Sequence, residues 1–242
     1  MFYETSSWDV VGWNTMISVY AQNGHEFEAF DTFRQMLLSG MIPTMITFVS
    51  ILSACDSVSQ GKTLHTYIIE SGFVEHVIVA NALLSIYGQY GFTEDAWITF
   101  TKMTNRDVIT WNSIISGCAN HDYSEEALHF FQQMQLENVF PDVITYICSL
   151  KASGSLGASC MGQEIHAKVE RDGLLEKDHL LGTALIDMYA KCGVLTKAKD
   201  VLEEIRVRDV VSWNAMISAY AQHRQGHEAL NCFQRMESEG FA

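Results

Sequence analysis

The chain has 242 residues, 48% hydrophobic and 18% charged, with 16 Gly and only 2 Pro. That composition supports a sizeable core and excludes a wholly disordered chain, a collagen and a disulfide-built miniprotein. Fifteen Lys plus Arg stand against 29 Asp plus Glu, a formal net charge of −14, the wrong sign for a protein that grips nucleic acid through a basic whole-surface field, so any such contact needs a local groove.

The N-terminal stretch "MFYETSSWDV" has neither a basic start followed by an apolar run nor an Arg-rich amphipathic pattern, so it carries no recognisable targeting segment. Apolar runs such as residues 73–84 are interrupted well before the roughly 18 to 20 positions a membrane helix needs, and no membrane partner is expected. Cys55, Cys118, Cys148, Cys160, Cys192 and Cys232 contain no Cys-x-x-Cys pair. They read as reduced, packed thiols of an intracellular chain, with no structural zinc.

Three segments align along the chain: "DVVGWNTMISVYAQNGHEFEAFDTFRQMLLSG" from Asp9, "DVITWNSIISGCANHDYSEEALHFFQQMQLEN" from Asp107 and "DVVSWNAMISAYAQHRQGHEALNCFQRMESEG" from Asp209, spaced by 98 and 102 residues. Pro43 and Pro141 repeat the spacing of 98, as do Met36 and Met134. Each long period divides further. Residues 45–73 resemble 143–174, and 77–107 resemble 179–209, giving units of about 31 to 36 residues, the scale of helical-repeat proteins.

Within a unit the apolar residues follow helical spacing. Trp13, Met16, Ile17 and Tyr20 form one stripe before Gly24, and Ala29, Phe30, Phe33 and Met36 form another after it, which predicts helix, short turn, helix. Gly24, Gly91 and Gly193 share the internal position where a positive φ ends the first helix, and Asp122 occupies it as a poorer fit. Ala29, Ala96, Ala127, Ala198 and Ala229 recur early in the second helix, where a small side chain permits close approach. The aromatic stripes are expected to be core, because one hairpin cannot hide its own apolar faces and its neighbours must.

"NALLSIYGQYG", "TALIDMYAKCG", "GKTLHTYIIESGF" and "VVSWNAMISAYAQHRQGHEAL" resemble the pentatricopeptide repeat family in its plant-type series of P, L and S motifs, over almost the whole chain. The resemblance implies an all-α, right-handed superhelical solenoid of antiparallel helix-turn-helix repeats, similar to the tetratricopeptide fold. Its boundaries would be the tail of an S repeat at 1–9, P at 10–44, a short L at 45–76, S at 77–107, P at 108–142, L at 143–178, S at 179–209 and an incomplete P at 210–242. Both ends look cut, as in a fragment of a longer protein. The first L unit is three residues shorter than the second between its helices, so either its first helix loses its last turn or the local superhelix is distorted.

What the resemblance implies about function is single-stranded RNA binding in a mitochondrion or chloroplast, one nucleotide per repeat. The fifth and last residues of a motif would read the base and the second would stack on it. Carried over, the stacking residues are Val11, Ile46, Ile78, Ile109, Ile144, Leu180 and Val211, all aliphatic; such side chains can sandwich flat bases or form an apolar seam. The fifth positions are Asn14, Val49, Asn81, Asn112, Ile147, Thr183 and Asn214, and the closing residues are Thr44, His76, Asp107, Asp142, Asp178 and Asp209. By the same resemblance Asn81 with Asp107 and Asn112 with Asp142 look like uracil readers, Thr183 with Asp209 a guanine reader, and Asn14 with Thr44 a weak pyrimidine reader.

Read from the residues alone, an Asn amide offers a donor and an acceptor to a base edge, while a carboxylate can accept from a base or fix the amide's orientation. An Asn near a helix start is also a common cap. Val49 and Ile147 cannot hydrogen-bond through their side chains, so the L units are expected to contribute spacing or stacking. Arg34 is the only Lys or Arg in the first 60 residues, so phosphate attraction is expected to be weak there.

No His-x-Glu with a following Cys-x-x-Cys, no phosphate-binding Gly-rich loop and no Gly-x-Ser-x-Gly elbow stands in the sequence. The chain is therefore expected to be a recognition module without catalysis, cofactor or metal. His65 and His166 share a repeat position and read as architectural. The expected function is sequence-specific RNA binding in organellar editing (C-to-U) or processing, with editing or processing proteins acting in trans. The alternatives are a protein-binding helical scaffold, favoured by the acidic balance, and a truncated nonfunctional fragment.

Overall fold

The computed structural model describes residues 8–175, 178–205 and 208–241. Every regular element among them is an α-helix, and the helices come in consecutive pairs: α1 (Val10–Gln22) with α2 (Glu26–Leu38), α3 (Met45–Leu52) with α4 (Val58–Glu70), α5 (Val77–Gln89) with α6 (Thr93–Lys102), α7 (Val108–Asn120) with α8 (Ser124–Leu136), α9 (Val143–Leu156) with α10 (Ser159–Arg171), α11 (His179–Lys191) with α12 (Leu195–Glu204), and α13 (Val210–Gln222) with α14 (Gly226–Ser238). The architecture is an all-α solenoid of helix-turn-helix repeats, as the sequence predicts.

The chain forms two compact units, one ending at Gly117 and the other beginning at Cys118. In the first, α3 packs between α1 and α5, with α2, α4 and α6 each against its own partner. In the second, α11 packs between α9 and α13, with α10, α12 and α14 behind. The first helices of each unit therefore line up side by side, which brings their N-terminal turns to one edge. No helix among the described residues is long and apolar enough to cross a membrane.

The turn inside each pair follows from one backbone conformation. Gly24, Gly91 and Gly193 have φ of 69°, 74° and 73°, and Asp122 and Arg224 take the same left-handed conformation at 65° and 58°. The residue after each left-handed one donates its amide five residues back, His25 to Tyr20, Phe92 to Tyr87, Tyr123 to Cys118, Val194 to Tyr189 and Gln225 to Tyr220, at 2.8–3.0 Å. This is the Schellman closure, and it reverses the chain within two or three residues.

Of the stripes predicted as core, Trp13, Ile17, Ala29, Phe33 and Met36 are buried, while Met16, Tyr20 and Phe30, and Ala229 in the last pair, are half-buried. Trp13, Trp111 and Trp213 are each at most 2% exposed, and Ala29, Ala96, Ala127 and Ala198 are closed off to the same degree, each large side chain contributing about 1.5–3 kcal/mol of transfer free energy. The cysteines described are free thiols. Burial, with the nearby Glu126 charge adding, pushes the Cys118 thiol up to about 12, so it packs as an inert apolar group.

Residues 45–76 and 143–178, which resemble each other in sequence, differ as their lengths predict. α3 ends at Leu52 after 8 residues, whereas α9 runs for 14 to a left-handed cap at Gly157. Of the two outcomes open from the sequence, the structure takes the shorter helix. Tyr90 reaches into the vacated turn and donates its hydroxyl to the Cys55 carbonyl at 3.3 Å. Cys192, which corresponds to Tyr90 in the later copy, lies against the Ser153 carbonyl at 3.9 Å.

Candidate nucleic-acid interface

Each first helix opens with the same succession of side chains. Val11, Ile46, Ile78, Ile109, Ile144, Leu180 and Val211 all lie in a first turn, and all point outward, from 52% exposed at Ile78 and Leu180 to 69% at Val11. Four belong to the first unit and three to the second. These aliphatic side chains are not consumed by a seam inside the protein, and they offer apolar surface at the helix-start edge of each unit.

Three residues on, Asn14, Asn81 and Asn112 are buried to within 7–9% of full enclosure, while Asn214 is exposed and Val49, Ile147 and Thr183 are half-buried. Asn81 donates from Nδ2 to Asp107 Oδ1 at 3.1 Å, and its Oδ1 accepts from the Thr110 hydroxyl at 2.7 Å. Asn14 repeats the arrangement: Nδ2 donates to Thr44 Oγ1 at 3.1 Å and Oδ1 accepts from Thr47 Oγ1 at 2.6 Å. The amide of one first helix is thus tied to the closing residue of its own unit and to the third residue of the next first helix.

The closing residues hold these positions because they are N-caps. Thr44, Asp107, Asp142 and Asp209 accept the amide N–H three residues on, at 3.4, 2.8, 2.9 and 2.8 Å. Thr47, Thr110, Thr145 and Ser212 return the bond through their hydroxyls. This is the reciprocal capping box. Asp178 caps α11 through Leu180 N–H at 2.8 Å, and His76 starts α5 with no side-chain cap among the described residues.

Burial works against the Asp107 charge, but the Thr110 amide, the Thr110 hydroxyl and the Asn81 amide together outweigh it and hold the carboxyl below its usual range. For Asp209 burial is likewise outweighed by Ser212 N–H, the Ser212 hydroxyl and the neighbouring His179. Both carboxylates are acceptors at neutral pH. The pairing of Thr183 with Asp209 is not made directly: Thr183 donates its hydroxyl into its own helix, to the His179 carbonyl at 3.3 Å, and Asp209 Oδ2 faces His179 Nε2 at 3.8 Å.

In the second unit Leu180 and Thr183 line a hollow of about 460 Å³ together with Ile147, Lys151, Ala184, Asp187, Lys191 and Ala215. Lys151 donates to Asn120 Oδ1 at 2.6 Å and Lys191 pairs with Asp187 at 2.7 Å. Two cations therefore flank an apolar floor beside a second- and a fifth-position residue. At the positions corresponding to these lysines the first copy has Ser53 and Gln89, in line with its sparse basic residues.

His65 and His166 are architectural, as their shared position suggests. Nδ1 of each meets a tyrosine hydroxyl of the following pair, Tyr87 at 2.8 Å and Tyr189 at 3.0 Å. Around His166, Glu170 and Glu204 bring potential ligand atoms within 4.8 Å of one another. The first copy keeps the His–Tyr pair but has Ile69 and Lys102 where those carboxylates stand, so the shared feature is packing. Sequence reasoning missed the hydroxyls of Thr47, Thr110, Thr145 and Ser212; the pattern Asp/Thr-x-x-Thr/Ser at the head of a first helix was the available signal.

These features define a helical-repeat module whose first helices present repeated side chains along one edge of each unit. The PPR repeat family profile matches residues 9–56 and 106–153, and the PPR repeat profile matches 78–108, 183–210 and 211–241. The chain belongs to the pentatricopeptide repeat family. It is 36% identical to a pentatricopeptide repeat-containing protein of Arabidopsis thaliana over 244 residues, which cover 99% of this chain and 33% of that one. A chloroplastic and a mitochondrial member from the same plant are 36% and 34% identical, over 100% and 99% of this chain and 39% and 38% of their own lengths. The chain thus spans a quarter to under half of the length of the curated relatives it matches, 25% to 45%. Its fold also matches the crystal structure of the pentatricopeptide repeat protein PPR10 in complex with an 18-nt psaJ RNA element, with a TM-score of 0.84 at 20% identity over 98% of this chain and 36% of that one.

Proposed function

We propose that this chain binds single-stranded RNA in a plant organelle as a sequence-reading module of the P, L and S series, with the repeat boundaries given above, and that it serves RNA modification (C-to-U editing) or processing whose chemistry another protein or domain supplies. The observation that carries this reading is the alternation, at each first-helix start, of an outward aliphatic side chain with a fifth-position residue, the amides at Asn14 and Asn81 being held by the closing residue of their own units. Flat bases suit the aliphatic residues, and an amide with one N–H and one lone pair to spare suits a base edge. Beside the hollow at Leu180, Lys151 supplies positive charge for phosphate in a chain that is otherwise acidic, Lys191 there being paired with Asp187. Organellar residence rests on the chloroplastic and mitochondrial relatives, and RNA as the ligand also draws on the RNA-bound structure that shares the fold.

The test is fluorescence anisotropy of the purified chain with an RNA ordered pyrimidine, spacer, uracil, uracil, spacer, guanine, beside a scrambled RNA and a salt titration. Tighter binding to the ordered RNA, weakened by Asn81→Ala and by Asn112→Ala, is the expected result. Equal or absent binding by a folded sample refutes sequence-specific recognition by this chain. The net charge of −14 favours the second reading, a scaffold for a protein partner, and absence of RNA binding would move attention there.

A further inference from the structure

We propose that Thr110 is a positioning residue for base reading. With Asp107 it fixes which way round the Asn81 amide faces, and so sets how sharply that amide separates uracil from cytosine. The inference rests on the RNA-reading role proposed above.

Hydrogen-bond direction supplies the argument. Thr110 Oγ1 accepts the Asp107 N–H at 3.2 Å, and its one proton lies between two acceptors, Asn81 Oδ1 at 2.7 Å and Asp107 Oδ1 at 2.8 Å. Asp107 Oδ1 faces Asn81 Nδ2 at 3.1 Å, and a carboxylate only accepts. Turning the Asn81 amide over would set its oxygen against the acceptor-only carboxylate oxygen, and would take from the Thr110 hydroxyl the Asn81 oxygen it can donate to, leaving the carboxylate as its one acceptor there. Only one orientation satisfies both neighbours, which leaves one N–H and one oxygen lone pair of Asn81 in a fixed order.

That order matters for pyrimidines. Uracil presents N3–H beside a carbonyl oxygen, whereas cytosine presents a bare N3 beside an amino group. An amide free to turn over can pair with either base, while an amide pinned at both ends can match only one arrangement at a given base position. At Asn14 the pinning is weaker. The Thr44 and Thr47 hydroxyls lie 3.1 Å apart with either able to donate, so the chain of donors can reverse as a set.

The sequence provides an independent observation. A hydroxyl stands at the third residue of a first helix when the preceding unit has an Asn fifth residue: Thr47 after Asn14, Thr110 after Asn81 and Thr145 after Asn112; Ser212 follows Thr183, but there each hydroxyl donates to a carbonyl of its own helix start, Asp209 and His179. After the apolar Val49 and Ile147 the position holds Val79 and Leu181, both fully buried. Capping alone does not account for this, since α11 begins with a capping aspartate, Asp178, yet carries Leu181 where a capping-box hydroxyl would stand.

The experiment compares the full chain with Thr110→Val, Thr110→Ala and Thr110→Ser, each checked for helix content by circular dichroism. Affinities are measured for two RNAs that differ only by uracil or cytosine opposite Asn81. The preference for uracil should fall about threefold to tenfold in T110V and T110A, the worth of one directed hydrogen bond, and survive in T110S, while Thr47→Val leaves the base opposite Asn14 as loosely read as before. In parallel, NMR of the side-chain NH2 of Asn81 in the unbound protein should show faster hydrogen exchange in T110V and T110A than in wild type and T110S. An unchanged uracil preference in T110V and T110A overturns the inference. Should wild type bind neither RNA, the proposed function fails instead, and unchanged Asn81 NH2 exchange then overturns the positioning role by itself.

Discussion

Replacing Asp107 by Ala separates capping from inter-repeat linkage, because the chain contains its own control. Asp9 caps α1 by accepting Gly12 N–H at 2.8 Å, and Asp107 caps α7 by accepting Thr110 N–H at the same 2.8 Å while also holding Asn81 Nδ2 at 3.1 Å. Loss of an N-cap costs about 1 kcal/mol at either site, and the lost charge at a helix N-terminus is common to both. Asp107→Ala additionally strands an amide N–H of a residue that is only 9% exposed, worth about another 1 kcal/mol. The expected costs are about 1 kcal/mol for Asp9→Ala and about 2 kcal/mol for Asp107→Ala. Urea unfolding followed by circular dichroism would read the difference as a midpoint gap of about 0.3 to 1 M. A cycle with Asn81→Ala should return a coupling near 1 kcal/mol between Asn81 and Asp107. Equal costs for the two aspartates, together with zero coupling, would show that the Asn81–Asp107 bond contributes nothing beyond the cap.

Gly117→Ala should destabilise the chain, since a Cβ there would lie 2.9 Å from the Gly88 Cα; the strain against backbone, about 1–3 kcal/mol, exceeds the helix-propensity gain of about 1 kcal/mol. Gly12→Ala, whose Cβ would meet nothing closer than 3.5 Å, should instead stabilise, and unfolding midpoints that move in the same direction for both would contradict this account. Stability should also fall as pH drops below about 6.5, the ordinary histidine value. Burial, helped by the Lys102 charge and opposed by Asp95, lowers the His65 pKa, and burial lowers that of His166 against the pull of Glu170 and Glu204. Between the ordinary and the lowered value the unfolded chain takes up protons that the folded chain refuses, so the loss begins near pH 6.5 and ends beneath the folded value. Urea midpoints measured from pH 7.5 to 5 should slope less in a His65→Gln, His166→Gln double variant, and an unaltered slope would exclude these two groups as the source.

Much of this molecule is legible in one dimension, for a physical reason. A helix buries side chains at a fixed period, so the spacing of Trp13, Ile17 and their counterparts determines the paired helices, and the recurrence at 98 and 102 residues determines that pairs must stack. Gly24, Gly91 and Gly193 mark the turns because a positive φ favours residues without Cβ, and Asp122 fills the same role at φ 65°. The outward positions of Ile46 and Leu180 follow from the same period.

The sequence also named Asn81 and Asp107 as partners, but only through their recurrence. What sits between them required the packed helices, since the amide, the carboxylate and the Thr110 hydroxyl come from three places separated by 26, 3 and 29 residues. Hydrogen bonds demand separations within a few tenths of an ångström, a precision that periodicity does not carry. For the same reason only the tertiary structure decided that Thr183 turns into its own helix rather than toward Asp209, and that α3 ends at Leu52 with the Tyr90 hydroxyl bonded to the Cys55 carbonyl. Local spacing determined which residues face which way; the contact between stacked repeats decided which of them meet.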